Sequence, residues 1–249
     1  AAIALAALRL PADAIMLVCP SDHHIGNVAA FRAAAREAAR LAGDDWLVSL
    51  GIAPTAPETG YGYLRQGDAI PGTAGRKVDR FVEKPDLERA KGFLASGGYA
   101  WNGGIFAFRA GAFLDELEKH RPQIAAAVRA AVSAGHAEGQ CFYPDAAAFA
   151  AVPGESVDRA AMVLADMAWS DIGNWQALHE ALDRDGDGNV IAGRAELRDC
   201  RNVMVMSDGP RVSVVGAHDL IVVVDGDEVL VCTPEGAQSV GKLSGAVNQ

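Results

Sequence analysis

The stretch from Val78 to Leu94 sets the tightest limit on the fold, because a strand, a stop and a helix cap follow one another in it. Val78, Phe81 and Val82 favour a strand. Pro85 ends the strand, since proline has no N–H to give a ladder. Asp86 then accepts from the first free N–H groups of a helix over residues 87–94. A strand that passes straight into a helix is the repeating step of α/β folds. Glu83 and Lys84 fall at the carboxyl end of this strand, where open α/β sheets bind their ligands. A carboxylate that accepts sugar hydroxyls, beside an ammonium that holds a phosphate, suits a sugar phosphate. Taken alone, the pair reads more readily as an exposed ion pair in a loop, since most surface charges contribute little. Its neighbours in the sequence change that balance.

The same alternation runs through the first 189 residues. Residues 13–19 form a continuous apolar run that suits a strand buried on both faces. The run ends at Pro20-Ser21-Asp22-His23-His24, so Asp22 shares the strand-end position of Lys84. Asp22 reads either as a metal-binding carboxylate or as the N-cap of a helix over residues 25–41. His23 and His24 would point about 100° apart on a helix and do not make a shared ion site. Residues 46–52 are a second apolar strand. Glu58-Thr59-Gly60-Tyr61-Gly62-Tyr63 follows, and glycines among aromatics mark close approach to a ligand or to a neighbouring strand. Asn102-Gly103-Gly104 leads into a strand over residues 105–108, and either offers an amide to ligand hydroxyls or turns the chain. Residues 113–134 are helical, with Arg121-Pro122 as an interruption, and residues 156–164 read as a helix. Asp171 is a second acid in a tight, aromatic-flanked turn, followed by a helix over residues 176–182. Residues 183–188 begin like a calcium loop, but Arg194 stands where that loop needs a bidentate carboxylate, so they read as a solvated turn.

After Asn189 the pattern changes. Residues 203–206, 212–215, 220–224 and 229–232 are short β runs with no long helix between them. This predicts a small all-β unit of short coils over residues 190–249, beside a larger α/β domain over residues 1–189. The net charge of −10 argues against nucleic acid as a partner, and any phosphate ligand then needs local cations or a metal ion. No apolar run is long enough to span a bilayer, and residues 1–10 read as a buried helix rather than a signal peptide. The four cysteines show no C-x-x-C and read as reduced thiols of a cytoplasmic protein.

Together these stretches resemble the sugar-nucleotide pyrophosphorylases, most closely the bacterial mannose-1-phosphate guanylyltransferases. The resemblance rests on Pro54-Thr55-Ala56-Pro57-Glu58-Thr59-Gly60-Tyr61-Gly62-Tyr63, Phe81-Val82-Glu83-Lys84-Pro85, Trp101-Asn102-Gly103-Gly104-Ile105-Phe106, Ser156-Val157-Asp158 and Trp169-Ser170-Asp171-Ile172-Gly173-Asn174-Trp175, in the family's order. It extends through Asp187-Gly188-Asn189-Val190 and Asp219-Leu220-Ile221-Val222-Val223 into the β unit. It implies an α/β, Rossmann-like nucleotidyltransferase with a mixed, mostly parallel sheet, and a small C-terminal left-handed β-helix. The activity it implies is transfer of a guanylyl group from GTP to mannose 1-phosphate, giving GDP-mannose and pyrophosphate, with Mg²⁺ as cofactor. Carried over, Lys84 holds the sugar phosphate, Glu83 reads sugar hydroxyls, Gly60 gives a backbone contact to the sugar, and Asn102 a further contact. Asp22 and Asp171 resemble the two carboxylates that hold Mg²⁺. GTP and mannose 1-phosphate are the implied partners, with neither nucleic acid nor a membrane. The coil edges of the β unit offer a place for homo-oligomer pairing. A pyrophosphorylase for another sugar or base, and a non-catalytic nucleotide-sugar sensor, are the alternatives.

Three departures from the family pattern stand out. The glycine-rich loop that wraps the triphosphate has no counterpart, and residues 1–8 match a helix that follows it. The strand before Trp169 is shortened to residues 163–168, with a family glutamate falling on Val163. No histidine-rich cupin pattern follows the β unit. The expectation is that these residues are the ordered remainder of a longer chain, with the strand over residues 14–19 exposed along one edge.

Overall fold

The computed structural model describes residues 1–152 and 161–243. They pack as two units, one of residues 1–21 and 27–169, the other of residues 22–26 and those from Ser170 onward. In chain order the elements are α1 (Ala2–Ala7), β1 (Ile15–Val18), β2 (His24–Ile25), α2 (Val28–Gly43), β3 (Val48–Ile52), β4 (Tyr63–Ala69) and β5 (Gly75–Val82). Then come α3 (Leu87–Ser96), β6 (Tyr99–Arg109), α4 (Ala110–His120), α5 (Pro122–Ser133), β7 (His136–Glu138), β8 (Cys141–Tyr143) and α6 (Ala146–Ala150). The remainder is β9 (Ala161–Ala165), β10 (Trp169–Ser170), α7 (Trp175–Ala181), β11 (Val190–Arg198), β12 (Arg201–Val215), β13 (His218–Asp225) and β14 (Glu228–Cys232), ending in a 3₁₀ turn over Ala237–Lys242.

The helices of the first unit follow local chemistry. Asn27 Oδ1 accepts from the Ala30 N–H at 3.0 Å and starts α2, so Asp22 is not its cap and the helix begins later than residue 25. Ala34, Ala38, Leu41 and Ala42 recur at helical spacing and are buried. Pro122 takes the first position of α5, where a missing N–H costs nothing, and divides residues 110–133 into two helices. α1, α4 and α5 cover one face of the sheet, with Met16, Phe108, Phe113, Ile124 and Val128 in one apolar cluster.

The six strands lie in the order β1-β6-β3-β9-β5-β4, with β4 also pairing β6. The sheet is mixed, but the expectation of mostly parallel pairing is corrected. β3–β9 is the one parallel pairing of this sheet among the described residues. β1, β3 and β9 do run in the same direction. However, β6 lies between β1 and β3 and runs antiparallel to both, and β4–β5 is antiparallel. β6-β3-β9-β5-β4 closes on itself through β4–β6. The register shifts within β4 between Arg65 and Gln66 and between Gln66 and Ala69 supply the bend that such closure needs.

Two further readings change. Ala161–Ala165 is a strand rather than the end of a helix, and four of its five residues are buried between β3 and β5. A short apolar run has no periodicity to separate a buried strand from a buried helix. The strand before Trp169 is therefore present, with Val163 inside it; Ser156-Val157-Asp158 lies outside the described residues. β1 is an edge strand whose Ile15 and Leu17 are exposed, so it is buried on one face rather than two.

In the second unit β11, β12 and β13 stack in parallel register, and β14 turns back antiparallel on β13. Consecutive residues Val203, Met204 and Val205 are all fully buried. Met204 joins Val190, Ile221 and Val223 on one side, with Trp175 and Leu182 packed over them; Val203 and Val205 join Cys200 and Val222 on the other. Burial on both faces with parallel stacking is the arrangement of a β-helix coil. α7 packs with this unit, which is why compact packing begins at Ser170 while the change in sequence pattern falls at Val190. No helix among the described residues is long and apolar enough to cross a membrane.

Candidate functional site

The register of three strands gathers the sugar-phosphate candidates. Tyr63 stands opposite Val82 of β5 on one side and Trp101 of β6 on the other. Gly62, Glu83 and Asn102 each lie one residue beyond those positions. The Asn102 N–H donates to the Gly62 carbonyl at 2.8 Å. A Cβ on Gly62 would stand 3.1 Å from Glu83 Oε2 and 2.7 Å from the Phe81 ring, so a glycine is what lets the Glu83 carboxylate lie against this backbone. Gly60 is exposed, with open space where a Cβ would be and no left-handed φ, so the fold itself does not demand a glycine there.

Lys84 follows. Its Nζ lies 3.8 Å from Glu83 Oε1, with side chains 64% and 59% exposed. Its backbone is at φ +40°, between the end of β5 and a helix start fixed by Asp86 Oδ1 accepting from the Arg89 N–H at 2.9 Å. Seven non-glycine residues have left-handed φ among the described residues, and four of them are Asp or Asn, which tolerate it. The other three are Lys84, Ala168 and Ile172. All three sit in the two stretches that carry Lys84 and Asp171, and strain of this kind clusters where a fold holds functional groups.

The aromatic and amide groups around this edge are fixed. Tyr61 meets Trp101 edge-on at 5.2 Å and Trp169 at 5.5 Å. The Tyr63 hydroxyl donates to the Glu58 carbonyl at 2.8 Å, and burial pushes its phenol up, so it stays a neutral donor. Asn102-Gly103-Gly104 lies within β6 rather than leading into it. Ser49 pairs with Phe106 and Gly51 with Asn102, so residues 103–105 bulge opposite Leu50. A Cβ on Gly103 would stand 2.9 Å from the Leu50 carbonyl oxygen, and Gly104 has φ +64°. Both glycines are required by the bulge, and the bulge sets where the Asn102 side chain sits. Ser49 Oγ donates to Asn102 Oδ1 at 2.9 Å, and the Gly104 N–H reaches the same oxygen at 3.4 Å. Sequence reasoning passed over Ser49 and singled out Gly62 only as one of two glycines. The available signals were a single hydroxyl inside the apolar run 46–52 and the alternation of glycine with tyrosine.

The two metal candidates belong to the other unit. Asp22 is exposed, two residues before β2; Asp171 directly follows β10; and β2 pairs with β10 in a two-stranded ladder. Asp171 Oδ1 accepts from the Gly173 N–H at 3.0 Å, and Ile172 is held at φ +52° with its N–H donating to Ser170 Oγ at 3.1 Å. Asp22 and Asp171 flank the two strands of this ladder, and carboxylate oxygens are hard donors of the kind that Mg²⁺ takes. Among the described residues, no three His, Cys, Asp or Glu side chains group closely enough to cage an ion. In the loop at residues 183–188, Asp185 accepts from the Asp187 and Asn189 N–H groups and from Asn189 Nδ2, so its oxygens serve the turn.

Comparison with known proteins agrees with this architecture. Residues 1–188 match the nucleotidyl transferase family, and residues 193–244 match the MannoseP isomerase/GMP-like beta-helix domain. A mannose-1-phosphate guanylyltransferase of Escherichia coli is 44% identical over 97% of this chain, and the xanthan biosynthesis protein XanB of Xanthomonas campestris is 43% identical over 98%. The chain spans about half the length of these curated relatives, 54% and 53%. A solved structure from Thermus thermophilus, described as a mannose-1-phosphate geranyltransferase, superposes with a TM-score of 0.80 at 32% identity. The match covers 96% of this chain and 71% of that one. A match along residues 1–188, on a fold with the same two parts, makes this chain a member of the nucleotidyl transferase family.

Proposed function

We propose that the protein transfers a guanylyl group from GTP to mannose 1-phosphate, releasing pyrophosphate and forming GDP-mannose. The observation that carries the reading is the grouping of Glu83, Gly62 and Asn102 at one edge of the sheet, beside a Lys84 held in a strained backbone conformation. Relatives that bear the guanylyltransferase name supply the nucleotide and the sugar.

A phosphate oxygen of the sugar phosphate attacks the α-phosphorus of GTP in line. The bond from that phosphorus to the bridging oxygen of the β-phosphate breaks, and pyrophosphate leaves. The nucleophile is already ionised, so no general base is needed. Lys84 binds its phosphate and keeps it in place, which is the proximity contribution. Glu83 accepts from sugar hydroxyls, Asn102 donates to them, and Gly60 leaves its backbone open to the sugar. Asp22 and Asp171 would hold Mg²⁺, which supplies charge neutralisation for the phosphates when bound. Substrates of this kind suit a cytoplasmic protein, in keeping with its four free cysteines.

Label transfer tests the reaction. With full-length protein, GTP labelled at the α-phosphate should pass its label to GDP-mannose, while the γ-label should appear in pyrophosphate. Label released as inorganic phosphate would mean hydrolysis and would refute guanylyl transfer.

A further inference from the structure

We infer that Ser49 is a positioning residue for sugar recognition: it locks the Asn102 amide so that the NH₂ edge, and not the carbonyl edge, faces the substrate. The inference rests on the reading of Asn102 as a sugar contact.

Ser49 lies in β3 and is 2% exposed, the one hydroxyl in a strand whose other members are Val48, Leu50, Gly51 and Ile52. A buried hydroxyl without a partner is costly, so where it bonds is strongly determined. Its partner is Asn102 Oδ1, which lies 53 positions away in sequence. The Gly104 N–H points at the same atom. A backbone N–H can only donate, so it fixes which end of the amide is oxygen. A flipped amide would set Nδ2 against that N–H, and the Ser49 hydroxyl could then only accept from it, leaving its own buried proton without an acceptor among the described residues. Among the described residues no acceptor takes Asn102 Nδ2, and the side chain is half-buried rather than sealed.

The consequence is chemical. The Glu83 carboxylate can only accept, and an amide held in this orientation can only donate outward. A ligand at this edge must therefore present both an O–H to give and an oxygen lone pair to receive, which sugar hydroxyls do. The β6 bulge and Ser49 act together: the bulge places Asn102 and brings the Gly104 N–H to its oxygen, and the buried Ser49 proton, with Oδ1 as its acceptor, holds the amide in that orientation.

A double-mutant cycle on the full-length enzyme tests this. Ser49→Ala should raise KM for mannose 1-phosphate by about 2- to 10-fold, the effect of one neutral hydrogen bond, with KM for GTP unchanged and kcat within about twofold. Asn102→Ala should raise the same KM at least as much, and adding Ser49→Ala to it should change nothing further, because the group being oriented is gone. A merely structural role for Ser49 would instead lower the melting temperature and move both KM values. An unchanged KM for mannose 1-phosphate in Ser49→Ala, or an effect that adds fully to Asn102→Ala, overturns the positioning role and leaves Asn102 as a contact. If Asn102→Ala alone leaves that KM unchanged, the sugar contact itself fails and the inference falls with it.

Discussion

Lys84 separates binding from stability in one position. It sits at φ +40°, and the side-chain pair with Glu83 is mostly exposed at 3.8 Å, so the pair adds about 0–1 kcal/mol to folding. Lys84→Ala keeps a Cβ in the same left-handed conformation and should leave stability nearly unchanged. Lys84→Gly removes the Cβ clash, worth about 1–2 kcal/mol, against about 0.4–1 kcal/mol of added freedom in the unfolded chain. The glycine variant should therefore be the more stable of the two by about 1 kcal/mol, or about 2–4 °C in Tm for a chain of this size. Binding should move differently. The ammonium meets a phosphate that is present in both the ground and transition states, so its loss should appear chiefly in KM. One charge-assisted contact is worth about 1.5–3 kcal/mol, or about 10- to 150-fold in KM for mannose 1-phosphate. Both variants should lose it equally. Thermal melts and steady-state kinetics on full-length protein read the two effects. A glycine variant that melts below the alanine variant would refute the strain argument, and unchanged mannose 1-phosphate kinetics in both would remove Lys84 from the site.

Three further outcomes follow from particular contacts. Gly62→Ala drives a Cβ to 2.7 Å from the Phe81 ring and towards Glu83; it should cost about 1–3 kcal/mol and raise KM for mannose 1-phosphate but not for GTP, and equal rises in both would contradict the placement of Glu83. The Arg40 guanidinium, with the Ala74 N–H, holds the Glu37 carboxyl at about 2. Its stabilisation is complete above the ordinary carboxylate range and is lost as pH falls towards about 2, so Glu37→Gln should flatten the acid side of the stability profile there, and an unaltered profile would count against the contact. Asp22→Asn and Asp171→Asn should each raise the Mg²⁺ concentration at half-maximal rate by about 10-fold or more with Tm nearly unchanged, and wild-type Mg²⁺ dependence in both would end their assignment as metal ligands.

What the sequence made legible was local. The stop at Pro85, the cap at Asp86 and the helix break at Pro122 each depend on one residue and its neighbours, and the structure reproduces them. The switch to an all-β pattern after Asn189 was legible for the same reason, but residues 203–206 and 212–215, which read as separate short runs, belong to one strand, Arg201–Val215, and Val190–Arg198 is a strand that the pattern did not mark. What stayed hidden was set by tertiary partners. Residues 161–165 carry no periodicity, and only burial between β3 and β5 makes them a strand. The antiparallel insertion of β6 depends on which strands find each other, which no short pattern encodes. The Ser49–Asn102 bond spans two strands and a bulge, so neither residue announces the other. Asn102-Gly103-Gly104 reads in the sequence as a turn or a contact, and it is both a bulge and part of the candidate site, because the glycines answer to Leu50 across the sheet.

The most direct measurement is pyrophosphate release by the full-length protein with Mg²⁺, across each nucleoside triphosphate paired with each of several sugar 1-phosphates. Guanylyl transfer to mannose 1-phosphate predicts the highest kcat/KM for GTP with that sugar phosphate, and no release when either substrate is omitted. Release that favours another base or sugar, or none with any pair, would contradict it.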